Sequence, residues 1–130
     1  MTFPFYFCLQ LSFYRDQHRF TSTYETGTTR AFYHGRTETI RSLTTESRAL
    51  CLAMEGTDAH EAHSMATKYQ LLRRALKSHG MYLRDSCQGQ AIDRHLLGLR
   101  VMAMQQGIAM PAIFTDPSYA LMNTFELSTR

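Results

Sequence analysis

Cysteine is scarce, with three residues in 130, and Cys8, Cys51 and Cys87 form no C-x-x-C pair. The odd count argues against a disulfide framework and predicts reduced, mostly buried thiols in an intracellular compartment. Long hydrophobic runs are missing too. The most apolar stretch, Phe3 to Phe13, contains Pro4, Gln10 and Ser12 and falls short of the roughly 18 to 20 residues that a membrane-spanning helix needs. It is expected to be a core helix or strand. No basic segment precedes it and no small-residue cleavage site follows, so it does not read as a secretory signal. The closing Leu127-Ser128-Thr129-Arg130 is not a targeting tripeptide. Blocks of like charge are absent: the 14 Lys and Arg residues are dispersed and the formal charge is only +3, which argues against a nucleic-acid partner and leaves small anions open. Without repeats, low-complexity tracts or linker-like shifts, one unit is the expected division, and 44% hydrophobic content suits a packed core.

What is present is mostly helical periodicity. Residues 8 to 18 suit the end of a buried helix, and the Thr- and Tyr-rich stretch from Phe20 to Thr29 favours an extended segment, punctuated by Gly27 and Gly35. Leu50, Cys51 and Met54 keep helical spacing over Thr45 to Met54, with Gly56-Thr57 as the stop. Asp58 and Glu61 have capping-box spacing before Met65, Tyr69, Leu72, Leu76 and Leu83, a second helix expected to be interrupted at Gly80 and closed at Gly89. A third runs from Ile92 to Gly107 with an apolar surface broad enough to be buried on more than one side. Asp116-Pro117 reads as an N-cap and first helical position, and Thr124 to Ser128 as a strand with Phe125 and Leu127 inward and Glu126 outward. An apolar beginning and a terminal strand with few evident partners give the chain the look of a piece cut at both ends.

Two segments carry chemistry. Thr23 to Ser42, TYETGTTRAFYHGRTETIRS, concentrates hydroxyls, carboxylates and guanidinium groups, and an Asp93-Arg94-His95 triplet opens an otherwise apolar helix. Read without further context, Arg94 is a surface ion pair with Asp93, and Tyr24 and Thr37 are ordinary strand residues. His60-Glu61-Ala62-His63 is not H-E-x-x-H and lacks a nearby third ligand, so no metal is assigned. Arg73, Arg74 and Lys77 make a solvated basic face without an aromatic platform. Four methionines from Met102 to Met122 are expected to fill a core.

The order and spacing of LQLSFYR, TYETGTTRAFYHGRTETIRS, AIDRHLLGLR, FTDPSYA and FELST resemble the carnitine and choline acyltransferase family over nearly everything after Leu9. The wording FYHGRTET, DRHLLGL and FTDP is most similar to its peroxisomal carnitine octanoyltransferase branch, with the acetyltransferase branch next. The resemblance implies an α/β fold of the chloramphenicol-acetyltransferase type, of which residues 1–130 would be part of a single domain, mostly helical with a few strands. It implies transfer of a short- or medium-chain acyl group between coenzyme A and carnitine, by general-base attack on an acyl thioester, without a metal or a covalent enzyme intermediate. Coenzyme A would act as co-substrate, with no bound cofactor. It further implies a monomeric intact protein and a peroxisomal address, with the mitochondrion as the alternative.

By the same resemblance Arg94 holds the carnitine carboxylate, with Tyr24 and Thr37 as hydroxyl donors and Ser128 beside the carnitine, whereas Thr26 lies by the pantetheine arm of coenzyme A. A desolvated carboxylate needs charge-assisted hydrogen bonds, for which arginine is the natural donor. Two departures stand out. Arg130 occupies the last place of the family's Ser-Thr-Ser motif, whose final hydroxyl donates to the oxyanion, and no H-x-x-x-D supplies a general base. His34 and His95 lie where the family uses no base. No catalytic residue is therefore assigned, and the chain alone is not expected to turn over. Two alternatives remain open: a non-catalytic truncated product acting as an interaction piece, and an independent helical anion-binding module.

Overall fold

The computed structural model describes residues 3–56 and 63–129. Helices α1 (Phe3–Gln17), α2 (Thr45–Glu55), α3 (Met65–Cys87), α4 (Asp93–Gln105), α5 (Ala112–Thr115) and α6 (Pro117–Met122) accompany strands β1 (Ser22–Thr28), β2 (Thr37–Ile40) and β3 (Phe125–Thr129). The expected mixture of helices with a few strands is what is observed. Among the described residues no helix is long and apolar enough to cross a membrane.

The three strands form one sheet in the order β2-β1-β3. β1 pairs antiparallel with β2, Thr26 opposite Thr39 and Thr28 opposite Thr37, and parallel with β3, Tyr24 beside Ser128. The terminal strand, expected to have few partners, finds one in β1. Local alternation cannot reveal this, because the partner lies a hundred residues away in sequence. The burial of β3 alternates as expected. A register shift between Ser22 and Thr23 accommodates β3, so Phe125 packs edge-on against Tyr24 while Leu127 joins Tyr6 and Leu9 beneath α1. Arg19 forks onto Glu126 at 2.9 and 2.5 Å and ties the strand to the end of α1.

The β1–β2 connection turns tightly on hydrogen bonds from Phe32 N–H to Thr29 O and from Gly35 N–H to Phe32 O. A Cβ at Gly35 would sit 1.8 Å from the Thr29 carbonyl oxygen, so only glycine fits there. Next to it His34 takes a left-handed backbone, φ 59°, and its side chain is exposed. This is a turn position.

Helix α2 starts at a reciprocal cap: Ser47 N–H donates to the Thr44 hydroxyl and Thr44 N–H to the Ser47 hydroxyl. It ends at Gly56 with φ 68°. Its Leu50 meets Phe7 of α1 and Ala75 of α3 in the core, with Leu71, Leu72 and Leu76 packed around them. The proposed Asp58–Glu61 cap and the stop at Thr57 lie outside the described residues, and α3 begins at Met65 with Ser64 accepting from Thr67 N–H. Two expectations for α3 fail. The helix runs through Gly80 to Cys87, because the packed stripe Leu72, Ala75, Leu76 and His79 outweighs the roughly 1 kcal/mol that a mid-helix glycine costs. Met65 and Tyr69, expected on that stripe, are exposed. As expected, Asp116 caps α6, accepting from Ser118 N–H at 2.8 Å with Pro117 at the first position.

α4 departs furthest from its pattern. Only Ala103 is buried, whereas Leu97, Leu99, Met102 and Met104 are 44 to 64% exposed. The described residues cover that apolar surface only in part, leaving Leu96 half-buried, so neither burial on several sides nor a methionine-filled core is realised there.

Cys51 is buried, Cys87 half-buried and Cys8 exposed, so the expectation of mostly buried thiols holds fully only for Cys51. Burial first, then the charge of Glu55, pushes the Cys51 thiol up to about 11. A native-state alkylation time course at pH 7.5 should therefore label Cys8 promptly and leave Cys51 unmodified until denaturant is added. At the start of α2 the Glu46 carboxyl is held below its usual range by its own backbone N–H first, then by the Thr44 and Ser78 hydroxyls. A carboxylate of lowered pKa contributes stability that is complete above its unfolded value and is lost as pH falls through its folded value. In urea denaturation the wild-type advantage over Glu46→Gln should be full at pH 7 and shrink steadily below about pH 4.

Candidate functional site

β2 and α4 meet where Thr37 and Arg94 meet. The Arg94 Nε donates to the Thr37 carbonyl at 3.1 Å and its Nη2 to the Thr37 hydroxyl at 3.4 Å. This places the guanidinium against β2 rather than against its sequence neighbour. Asp93, the partner that sequence adjacency alone would offer Arg94, bonds instead to Arg41, which forks onto its Oδ2 at 3.1 Å and its Oδ1 at 2.5 Å. Among the described residues Arg94 has no carboxylate partner for its side chain, and it is exposed.

The first turn of α4 is fixed from the sheet. Ile92, at its cap position, supplies no side-chain hydrogen bond. The Glu38 carboxylate does so instead, accepting from Arg94 N–H at 3.3 and 3.4 Å and from Thr39 N–H at 2.7 Å. A carboxylate at a helix N-terminus meets unsatisfied N–H groups and the positive end of the helix dipole, which explains how Glu38 is tolerated at 3% exposure. Its partners are these backbone groups, not His34 four residues earlier.

Beside this junction opens a cavity of about 340 Å³ whose wall includes Tyr24, Thr39, Asp93, Arg94, Arg100 and Phe125. Tyr24 reaches it from β1 and stands edge-on to Phe125 with ring centroids 5.4 Å apart. Arg94 and Arg100 bring two cations to the wall, and its one carboxylate, Asp93, is already taken by Arg41. The net field suits an anion small enough for the space. A different cleft of about 360 Å³, between α1, α2 and α3, is lined by apolar groups such as Phe7, Leu11, Leu50 and Leu72 with Lys68 at its edge. It lacks converging polar groups and reads as an imperfect helix junction.

The structure therefore puts Arg94 and Thr37 in contact, and Tyr24 and Arg94 on one cavity. Ser128 is exposed on β3 and is Tyr24's register neighbour, but it is not part of the cavity wall. Thr26 is half-buried on β1, opposite Thr39 and two residues beyond Tyr24. Arg130, His60 and Glu61 lie outside the described residues, and no group of three metal-ligating side chains is found among those described. His95 is exposed. Arg73, Arg74 and Lys77 form an exposed face of α3, as expected of a solvated basic side.

Sequence reasoning missed the groups behind these residues. Arg41 and Glu38 sit inside the same GRTETIRS segment as Thr37, yet alternation along a strand says nothing about which helix each will meet. It also missed Glu25 and His79, whose Oε2 and Nε2 share a hydrogen bond at 2.6 Å in the interior, with His79 stacked on Tyr6 at 5.6 Å. Glu25 stands between Thr23 and Gly27 on the face of β1 turned toward α3. The Tyr6 phenol is pushed up, chiefly by burial, with the Glu25 charge adding to it and a Thr129 hydrogen bond opposing it. Replacing His79 with Ala removes a partner of a buried carboxylate and leaves a void. It should cost at least about 2 kcal/mol of unfolding free energy, read from a urea titration at pH 7.

Comparison with known proteins places these segments in context. The Choline/Carnitine o-acyltransferase family model matches residues 5–130. The chain is 41% identical over 121 residues to carnitine O-acetyltransferase of Rattus norvegicus and of Homo sapiens, covering 93% of this chain and 19% of each relative. It is also 41% identical over 112 residues to the peroxisomal carnitine O-octanoyltransferase of Rattus norvegicus, covering 86% of this chain and 18% of that protein. The chain thus spans about a fifth of the length of these curated relatives. Equal identities do not separate the two branches.

Proposed function

Because this chain belongs to the choline/carnitine O-acyltransferase family, we propose that it carries the carnitine-binding side of a carnitine O-acyltransferase. Such an enzyme moves a short- or medium-chain acyl group between coenzyme A and carnitine. The carrying observation is the Arg94 guanidinium, held by Thr37 at one wall of a cation-bearing cavity and without a carboxylate partner among the described residues. Carnitine brings a carboxylate, and a guanidinium recognises that group through paired, charge-assisted N–H···O bonds.

The residues divide the work by chemistry. Arg94 takes the carboxylate. The Thr37 hydroxyl accepts from Arg94 and keeps its own O–H to donate onward, since a hydroxyl is both acceptor and donor. Tyr24 supplies a phenol from the neighbouring strand, and Ser128, its register partner just outside the cavity wall, is read as facing the part of the carnitine that extends past Tyr24. Thr26 contacts the pantetheine arm of acyl-coenzyme A, the co-substrate. In the reaction the carnitine hydroxyl gives its proton to a general base as its oxygen bonds to the thioester carbonyl carbon, the carbon–sulfur bond breaks, and the same proton passes to the leaving sulfur so that coenzyme A departs as its thiol. The general base is not contributed by these residues; their part is to orient the acceptor. We read the helices and small sheet as part of one chloramphenicol-acetyltransferase-type domain acting in the peroxisome, with the mitochondrion as the alternative. The similarity to a peroxisomal carnitine O-octanoyltransferase motivates that address.

A second reading, an interaction piece without turnover, draws on the exposed apolar residues of α4. It predicts no preference for carnitine. NMR titration of the 130-residue chain with L-carnitine and with choline, which lacks the carboxylate, separates the two. Carnitine should bind more tightly, and Arg94→Gln should weaken carnitine about tenfold or more while removing most of its preference over choline. Equal affinities in the wild-type chain would overturn the assignment.

A further inference from the structure

The fixed charges of the cavity carry one more step, which rests on the carnitine reading. Asp93 opens α4 immediately before Arg94 and lines the same cavity. Its carboxylate would repel an incoming carboxylate and offset the Arg94 charge. Arg41 lies just past the end of β2, behind that wall. Besides its fork onto Asp93, its Nη1 donates to the Met122 carbonyl at 2.5 Å and its Nη2 reaches Asn123 Oδ1 at 3.3 Å. The guanidinium carbon stands 5.0 Å from the centroid of the Phe125 ring. Asp93, Asn123 and Phe125 all line the cavity. The Arg41 and Asp93 side chains are only 19% and 9% exposed, so water screens their pairing poorly.

We propose that Arg41 is a positioning residue for the carboxylate site: it neutralises Asp93 and clamps the start of α4 to the α6–β3 junction, leaving Arg94 and Arg100 as the unopposed charges of the cavity. Only an arginine can do all of this at once. Its planar fork meets both Asp93 oxygens while the remaining N–H groups reach the Met122 carbonyl and Asn123, and its face lies over Phe125. A lysine would retain the charge and lose the clamp.

The two parts of this role predict different outcomes in the carnitine titration of the 130-residue chain, with thermal unfolding recorded on every variant. Arg41→Gln should weaken L-carnitine by about tenfold or more, because it leaves an unpaired carboxylate in the wall. Adding Asp93→Asn to that variant should restore most of the loss. Asp93→Asn alone frees the Arg41 charge and should tighten carnitine by about two- to fivefold. A prop without an electrostatic role gives no such recovery.

If Arg41→Gln leaves carnitine affinity unchanged while Arg94→Gln lowers it, the Arg41 inference is wrong and the carnitine reading survives. Failure of the double variant to recover also overturns the charge-setting role. Should Arg41→Gln fail to unfold cooperatively, Asp93→Asn decides, and unchanged or weaker binding refutes the inference. If the wild-type chain does not bind carnitine, or binds it no better than Arg94→Gln does, the carnitine reading falls first and takes this one with it.

Discussion

Three carboxylates taken into the interior set the constraint that organises this structure. Glu25, Glu38 and Asp93 are each removed from most of their water, and a charge so placed must be met by hydrogen bonds or a counter-charge. Each is met by a different element. Glu25 finds His79 and so joins β1 to α3. Glu38 receives N–H groups from Arg94 and Thr39 and joins β2 to the start of α4. Asp93 receives Arg41 and joins α4 back to β2 and onward to the segment leading into β3. The apolar core of Phe7, Leu50 and Ala75 gathers α1, α2 and α3 without specifying a unique sheet-to-helix alignment. Each carboxylate adds a constraint on that alignment, since breaking its pairing would leave a buried charge unmet.

The same constraint explains why the candidate site lies where it does. Because Glu38 takes the Arg94 backbone N–H and Asp93 is occupied by Arg41, the Arg94 side chain keeps its charge for something else. It leans on Thr37, and Tyr24 reaches the shared cavity from the central strand. Backbone pairing within β1 and β2 thus determines which hydroxyls stand near the guanidinium. The parallel pairing of β3 brings Ser128 beside Tyr24 and Phe125 onto its ring. The site is built from the sheet outward.

The apolar face of α4 shows the limit of reading packing from periodicity. Ile92, Leu96, Leu99 and Ala103 recur as a helical core stripe should, and the helix forms, but among them only Ala103 is buried and Leu96 half-buried, whereas Ile92 and Leu99 stay exposed. Spacing predicts a helix well because the hydrogen bonds are local. Coverage depends on a second element far along the chain, which local spacing does not report.

Features with local causes were legible in the sequence. The apolar spacing of α2, the Asp-Pro start of α6, the alternation in β3 and the helical repeat of α3 each depend on residues within a few positions of one another. The arginine of Asp-Arg-His and the hydroxyls of TYET and GRTET could likewise be singled out before their arrangement was known. Only the tertiary structure decided that Asp93 belongs to Arg41, that Glu38 serves the helix beyond it, that Gly80 does not break α3, and that the last strand runs parallel to the first. Those outcomes depend on groups far apart in sequence, where the burial of charge and the packing of whole faces outweigh any local preference.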